Sequence, residues 1–413
     1  MPATSDIPQD IIYVILDNLH DNHQALSACA STARSFRTYA QKLLFATIKI
    51  ELPPYSTRTD HIRDLHNILM RNPLLIDHIR HVVLLLHYFH VGNSQSFPAF
   101  HHDDDGGRSK LLPTIRLLRR LRKLTIDPFV GLAVATWNEF SEDLRSEILA
   151  VIWLPNVIDF SLSGINSFPA SFLLQCPHLK RISWRVQRMR VREEVPLLSV
   201  DEPSADGMLK YYDTSDIDTL SEIVAAISRN PSGHLTFKHL EGLNIELWSP
   251  NHYTDCQDVL TMCAMSLSFL SVSIIEENLG ELTFPLLSLT IYNTFILIDV
   301  MLNITNMQAL RSFQIDLSYL NRSADIRAWL EIFLSSKLPN TGVLQRFTVR
   351  LPDYTPLWIH IDDVLVDATR LAKVHIDIRL NHMPPQFLVG AFPRLAERGD
   401  SSIYIDEDLF FMS

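Results

Sequence analysis

Leu121-Arg122-Lys123-Leu124-Thr125-Ile126-Asp127 sets down an apolar residue, skips two, sets a second, skips one and sets a third. Leu124 and Ile126 are two apart, so a strand turns both to one side and turns Lys123, Thr125 and Asp127 to the other. The same spacing returns as Ile79-Val82-Leu84, Val157-Phe160-Leu162 and Leu179-Ile182-Trp184. It continues as Leu240-Leu243-Ile245, Leu267-Leu270-Val272 and Leu286-Leu289-Ile291. Leu310-Phe313-Ile315, Leu344-Phe347-Val349 and Leu371-Val374-Ile376 complete the series. The positions between are mostly polar: Asp159, Ser161 and Ser163; Arg181, Ser183 and Arg185; Asn244 and Glu246; Arg346, Thr348 and Arg350. Half-buried strands follow, with one dry and one wet sheet face.

The dry face needs a cover, and the intervening segments supply helical spacing. Phe140-Leu144-Ile148-Leu149-Ile152, Leu220-Ile223-Val224-Ile227 and Ile326-Trp329-Leu330-Phe333 each line one helix face. Thr136 and Glu139 have capping-box spacing before the first of these. The class expected is α/β, a solenoid with strands on the concave face and helices outside. Several strands recur 19 to 27 residues apart, close to the roughly 20–29 residues of leucine-rich repeats. Longer steps mark insertions near residues 91–110 and 187–215. The alternative on the same spacing is a closed α/β sandwich with a meandering sheet.

Ahead of the repeats, residues 1–50 follow another rhythm. Behind Pro8, the residues Ile11, Ile12, Ile15, Leu16 and Leu19 recur at helical spacing. His20-Asp21-Asn22-His23 breaks that helix. Leu26, Cys29, Ala30 and Ala33 make a second face, and Phe36, Ala40, Leu43 and Leu44 a third. Thr47-Ile48-Lys49-Ile50 then alternates as a strand does. Forty residues bury too little surface to stand comfortably alone, so these stripes also serve another surface.

Ile7-Pro8, Ile11, Ile15, Leu19, Leu26, Cys29, Arg34-Ser35-Phe36-Arg37, Leu44-Phe45 and Ile48 together resemble an F-box of the layout common in mushroom-type fungi. Ile7 stands for the commoner Leu, and Thr32-Ala33-Arg34 for the usual Val-Ser-Arg. The resemblance implies an F-box at 1–50 and a substrate-recognition region at 51–413, similar to a leucine-rich-repeat region but lacking its regular Asn after each strand. It implies docking on the Skp-family adaptor of an SCF ubiquitin ligase, and through it on a cullin–RING ligase. Ile7, Pro8, Ile11, Ile15, Leu19, Leu26 and Phe36 are the adaptor-contact candidates, some of which must instead hold the helices together. The chain would then catalyse nothing itself, and the remainder would hold a protein target for ubiquitination. A repeat scaffold without a ligase is the alternative.

Bulk composition agrees with a folded binding protein. The 413 residues are 47% hydrophobic and 20% charged, with 36 Lys and Arg against 47 Asp and Glu, a net charge of −11. That balance argues against dedicated nucleic-acid or anionic-membrane binding. Four scattered cysteines suggest buried thiols in a reducing compartment. With no leader in Met1–Asp6 and no apolar run long enough to span a bilayer, cytosol or nucleus is expected.

Chemistry-bearing motifs are sparse. A phosphate loop, a dinucleotide-binding glycine motif and a nucleophile elbow are all missing, and only 12 glycines occur. His101-His102-Asp103-Asp104-Asp105 suits a solvated turn better than a metal site, and His252, Cys256 and Cys263 lack a fourth zinc ligand nearby. No cofactor, metal or catalytic residue is expected. Lys123, Arg181, Arg185, Arg346 and Arg350 lie on the polar strand side and are candidates for an acidic or phosphorylated target segment.

Overall fold

The computed structural model describes residues 8–20, 22–52, 60–86, 110–128, 135–140, 142–173, 175–185, 208–215, 217–229, 236–247, 251–274, 302–318, 323–339, 343–351, 358–368, 371, 373–381, 392–399 and 401–406. Contacts divide the chain into two compact units: residues 1–169 with 178–206, and residues 170–177 with 207–413. Residue 50, the expected end of the first domain, falls inside the first unit.

The first unit opens with three helices, α1 (Gln9–Asp17), α2 (His23–Thr32) and α3 (Arg34–Leu44). The carbonyl of Pro8 accepts the amides of Ile11 and Ile12 and starts α1. Asn22 caps α2 by accepting the Ala25 amide at 2.9 Å. Both α1 and α2 pack on α3. Their shared core is Ile12, Leu16, Leu26 and Ala40, with Leu19, Cys29, Phe36 and Leu43 half-buried against it.

Five parallel strands follow in chain order: β1 (Thr47–Leu52), β2 (His81–Leu86), β3 (Lys123–Pro128), β5 (Asp159–Ser163) and β7 (Arg181–Arg185). The links carry α4 (Asp60–Arg71), α5 (Pro73–Ile76), α6 (Leu111–Leu117) and α7 (Glu142–Ile152), with α4 packed on α6 and α6 on α7. A short parallel pair, β4 (Ala135–Thr136) and β6 (Ile165–Asn166), sits apart from the main sheet. Thr136 and Glu139 flank a single 3-10 turn, Trp137–Glu139, and α7 begins only at Glu142. The residues expected to cap the helix therefore fall on this turn and not at the start of α7. Phe168 packs edge-on to Trp137 and Trp184, with ring centroids 4.7 and 5.2 Å apart.

Seven strands make the second unit's sheet, again parallel and in chain order. They are β8 (Tyr211–Thr214), β9 (Gly242–Leu247), β10 (Phe269–Ile274), β11 (Ser312–Asp316), β12 (Arg346–Leu351), β13 (His375–Asn381) and β14 (Ser401–Asp406). The helices are α8 (Ala170–Leu173), α9 (Ile217–Arg229), α10 (Asn251–Met262), α11 (Ser323–Ser336), α12 (Trp358–Asp367) and α13 (Pro393–Arg398). Asp362 of α12 accepts the amides of Arg394 and Leu395, each at 2.9 Å, and so caps α13. Gly399 ends that helix at φ 78°, where a side chain would be strained.

One backbone device recurs in both units and explains the repeat. In most described repeats the carbonyl before a strand accepts two amides from the approach to the next strand, whereas Gln345 accepts only that of His375. Ala46 takes Arg80 and His81, Arg80 takes Arg122 and Lys123, and Arg122 takes Ile158 and Asp159. In the second unit Lys210 takes Glu241 and Gly242, Glu241 takes Ser268 and Phe269, and Ser268 takes Arg311 and Ser312. The three apolar positions of each described repeat are buried, from Ile79, Val82 and Leu84 to Leu371, Val374 and Ile376. Leu286-Leu289-Ile291 lies outside the described residues, as does the acidic turn at 101–105. Tyr211–Thr214, expected within an insertion, is instead strand β8, and buried Leu209, Tyr212 and Thr214 keep the repeat spacing.

The expected wet face needs a larger correction. In the first unit β5 and β7 alternate as expected between buried and half-buried. In the second, β9 is buried along its whole length, and Asn244, Glu246, Ser271, Ser273, Asp316, Thr348 and Asp377 are all buried. Buried polar groups need partners. The Asn244 amide donates to Asp213 at 2.9 Å, Arg350 reaches Asp316 at 3.4 Å, and Arg346 reaches Asp377 at 3.3 Å. Side chains laid across the rungs in this way cover one another.

Candidate docking surface

Helix α1 carries six apolar residues in succession, Ile11 to Leu16. Successive helical residues stand about 100° apart, so six in a row cannot all face one core. Ile12 and Leu16 take the inward side and are buried. Ile11, Val14 and Ile15 remain 49%, 61% and 43% exposed. With Pro8, also exposed, they follow the i, i+3, i+4 spacing of a continuous outward stripe. Asn18 ends it, its side-chain amide donating to the Val14 carbonyl at 2.7 Å.

A polar and aromatic clasp borders the stripe. The rings of Tyr13 and Tyr39 stack with centroids 4.3 Å apart. The Tyr39 hydroxyl donates to Asp17 at 2.8 Å, and Lys42 Nζ lies 5.1 Å from the Tyr39 ring centroid. The hydrogen bond to Asp17, helped by burial, raises the Tyr39 phenol above its ordinary range. This clasp fixes α3 against α1 and leaves the aliphatic stripe clear.

The adaptor-contact candidates therefore divide. Pro8, Ile11 and Ile15 face outward, Leu19 and Phe36 are half-buried against the small core, and Leu26 is wholly inside it. Leu26 is a core residue. Ile7 lies outside the described residues. Val14, the most exposed of the stripe, was not among the candidates, although the unbroken apolar run contained the signal.

The five target-site candidates are divided between the two units. Lys123, Arg181 and Arg185 belong to the first unit, where Asp159 sits in register between Lys123 and Arg181. Arg346 and Arg350 belong to the second unit, and their partners are Asp377 and Asp316.

Burial pushes the thiols of Cys176 and Cys263 up to about 12, and that of Cys256 higher still, far from a neutral-pH thiolate. His375 Nε2 lies 3.0 Å from Asp377 and 3.2 Å from the Ser402 hydroxyl. A relay needs the hydroxyl and the carboxylate on opposite ring nitrogens, and here one nitrogen meets both. Among the described residues no group of three His, Cys, Asp or Glu is placed to hold a metal ion, and no helix is long and apolar enough to cross a membrane.

No protein-family model matches the chain, and no curated protein matches it.

Proposed function

We propose that the chain is a substrate-receptor subunit of an SCF-type ubiquitin ligase. Residues 1–50 serve as its F-box, and the α/β region behind them, leucine-rich-repeat-like with strands lining a concave face, recruits a target protein for ubiquitination. The observation that carries this is the division of labour within α1. Ile12 and Leu16 close the helices' own core, while Ile11, Val14 and Ile15 stay outside it. Three aliphatic side chains aligned on one helix face suit the groove of another helical protein. Covering them contributes about 1 kcal/mol each, since each is already half-covered. The chain itself supplies proximity and no catalysis, working in the cytosol or nucleus.

The test is co-purification with the Skp-family adaptor. Full-length protein should retain the adaptor, and Ile11→Asp with Ile15→Asp should weaken capture by about 100-fold or more. Undiminished capture by that variant removes α1 as the docking face. Failure of the parent protein to capture the adaptor removes the ligase role and leaves a repeat scaffold.

A further inference from the structure

A band of cations lies in the first unit where three segments meet. Lys42 comes from the last turn of α3, Arg80 from the approach to β2, and Arg119, Arg120 and Arg122 from the turn between α6 and β3. Backbone pairing sets two of them side by side. The Arg122 amide donates to the Arg80 carbonyl at 2.7 Å, so the two arginines enter neighbouring strands about 4.8 Å apart. Arg120 and Arg122 both act on the Arg80 guanidinium, and Lys42, Arg80 and Arg120 all act on the His78 imidazole. Lys42, Arg80, Arg120 and Arg122 thus share one field, and Arg119 adjoins Arg120 in the chain.

Asp77, 3.5 Å from Arg120, is the one carboxylate paired with them among the described residues. Arg80, Arg119 and Arg122 make no ion pair among the described residues. Lys42, Arg119, Arg120 and Arg122 are exposed. Backbone hydrogen bonds hold the strand entries that Arg80 and Arg122 flank. In a chain with 47 acidic residues against 36 basic ones, carboxylates are plentiful. A cluster left with so few of them is poised for an external anion.

We infer that this band is a docking surface for a short acidic, Asp- and Glu-rich, segment of a partner protein. Nucleic acid fits less well. Single strands bind by stacking bases on free aromatic rings, whereas Tyr39, the ring beside Lys42, is already stacked on Tyr13. A long uniform polyanion is also repelled by a chain of net charge −11. A few carboxylates in an extended segment need only the band. The inference does not depend on adaptor docking through α1.

Fluorescence anisotropy of a fluorescein-labelled decaglutamate peptide with the full chain tests it. Binding should be measurable at about 50 mM salt and weaken about tenfold by 300 mM, as screening of exposed charges requires. Arg119→Glu, Arg120→Glu and Arg122→Glu together should lose at least tenfold, while Ile11→Asp with Ile15→Asp binds as the parent does. The milder pair Arg119→Gln and Arg122→Gln should lose about threefold and covers the case of a misfolded triple variant. A folded triple variant, or a glutamine pair, that binds like the parent overturns the inference. So does tighter binding of oligothymidylate or phosphatidylserine vesicles than of the peptide.

Discussion

Tyr39 donates its hydroxyl proton to Asp17 at 2.8 Å and so ties the middle of α3 to the last residue of α1. The bond raises the phenol pKa, so its stabilisation is present below the ordinary tyrosine range and lost as pH climbs through the raised value. Tyr39→Phe keeps the ring but not the bond. Being near the surface, the bond should be worth only about 0.5–1 kcal/mol, and the variant should lose the alkaline limb seen in unfolding curves recorded from neutral pH to above 10.

Leu26 and Ile15 carry opposite expectations. Leu26→Ala empties part of a four-residue core and should destabilise the three helices by about 2–4 kcal/mol, read as faster amide hydrogen exchange across residues 9–44. Ile15→Ser changes an exposed position and should shift stability by less than about 0.5 kcal/mol. Equal exchange rates in the two variants would contradict the assigned faces.

Gly242 has no room for a methyl group. A Cβ there would meet Tyr211 at 2.5 Å, and the Tyr211 ring is itself buried. Gly242→Ala should cost about 1–3 kcal/mol in urea unfolding. Adding Tyr211→Ala removes the clash, so the double variant should be less damaged than the two single losses added together.

His81 predicts acid sensitivity. Its Nε2 lies 2.8 Å from the Thr125 hydroxyl on β3 and its Nδ1 3.5 Å from that of Thr47 on β1. Burial, with the charge of Lys123 adding to it, pushes the imidazole down to about 4. The unfolded chain takes up this proton near 6.5, so stability is full above that pH and falls as pH drops toward 4. The loss is on the order of 3 kcal/mol, and His81→Gln should flatten that part of the pH profile.

Most of the sheet was legible because the repeat is a strict positional code. Leu121, Leu124 and Ile126 mark one side of a strand whatever lies around them, and the described repeats keep that register except at β13, where Phe347 and Val349 pair with Ile376 and Ile378 and Lys373, not Leu371, takes the first position. Strand β8 hid because the polar Thr214 stands where the other repeats place an apolar residue. Strand β14 hid because Arg398 holds the position where a leucine is expected. It does another job there, donating to the carbonyls of Leu371 and Val374. Burial of Asn244 and Asp316 was illegible, since alternation reports which way a side chain points and not what lies above it. The outward stripe on α1 was half legible: helical spacing chose Ile11 and Ile15 but passed over Val14 between them. The cationic band escaped because its members come together only after Ala46, Arg80 and Arg122 have paired their backbones.

Among the described residues of each unit, every main-sheet strand bonds to the main-sheet strands nearest to it in the chain. Folding can begin at several places and spread by accretion, with little loop closure to overcome at any step. The same locality leaves room for change over evolutionary time. A strand–helix pair can be gained, lost or lengthened at its loop without shifting the register of the others, so the α/β region can diversify while the opening helices keep a fixed form.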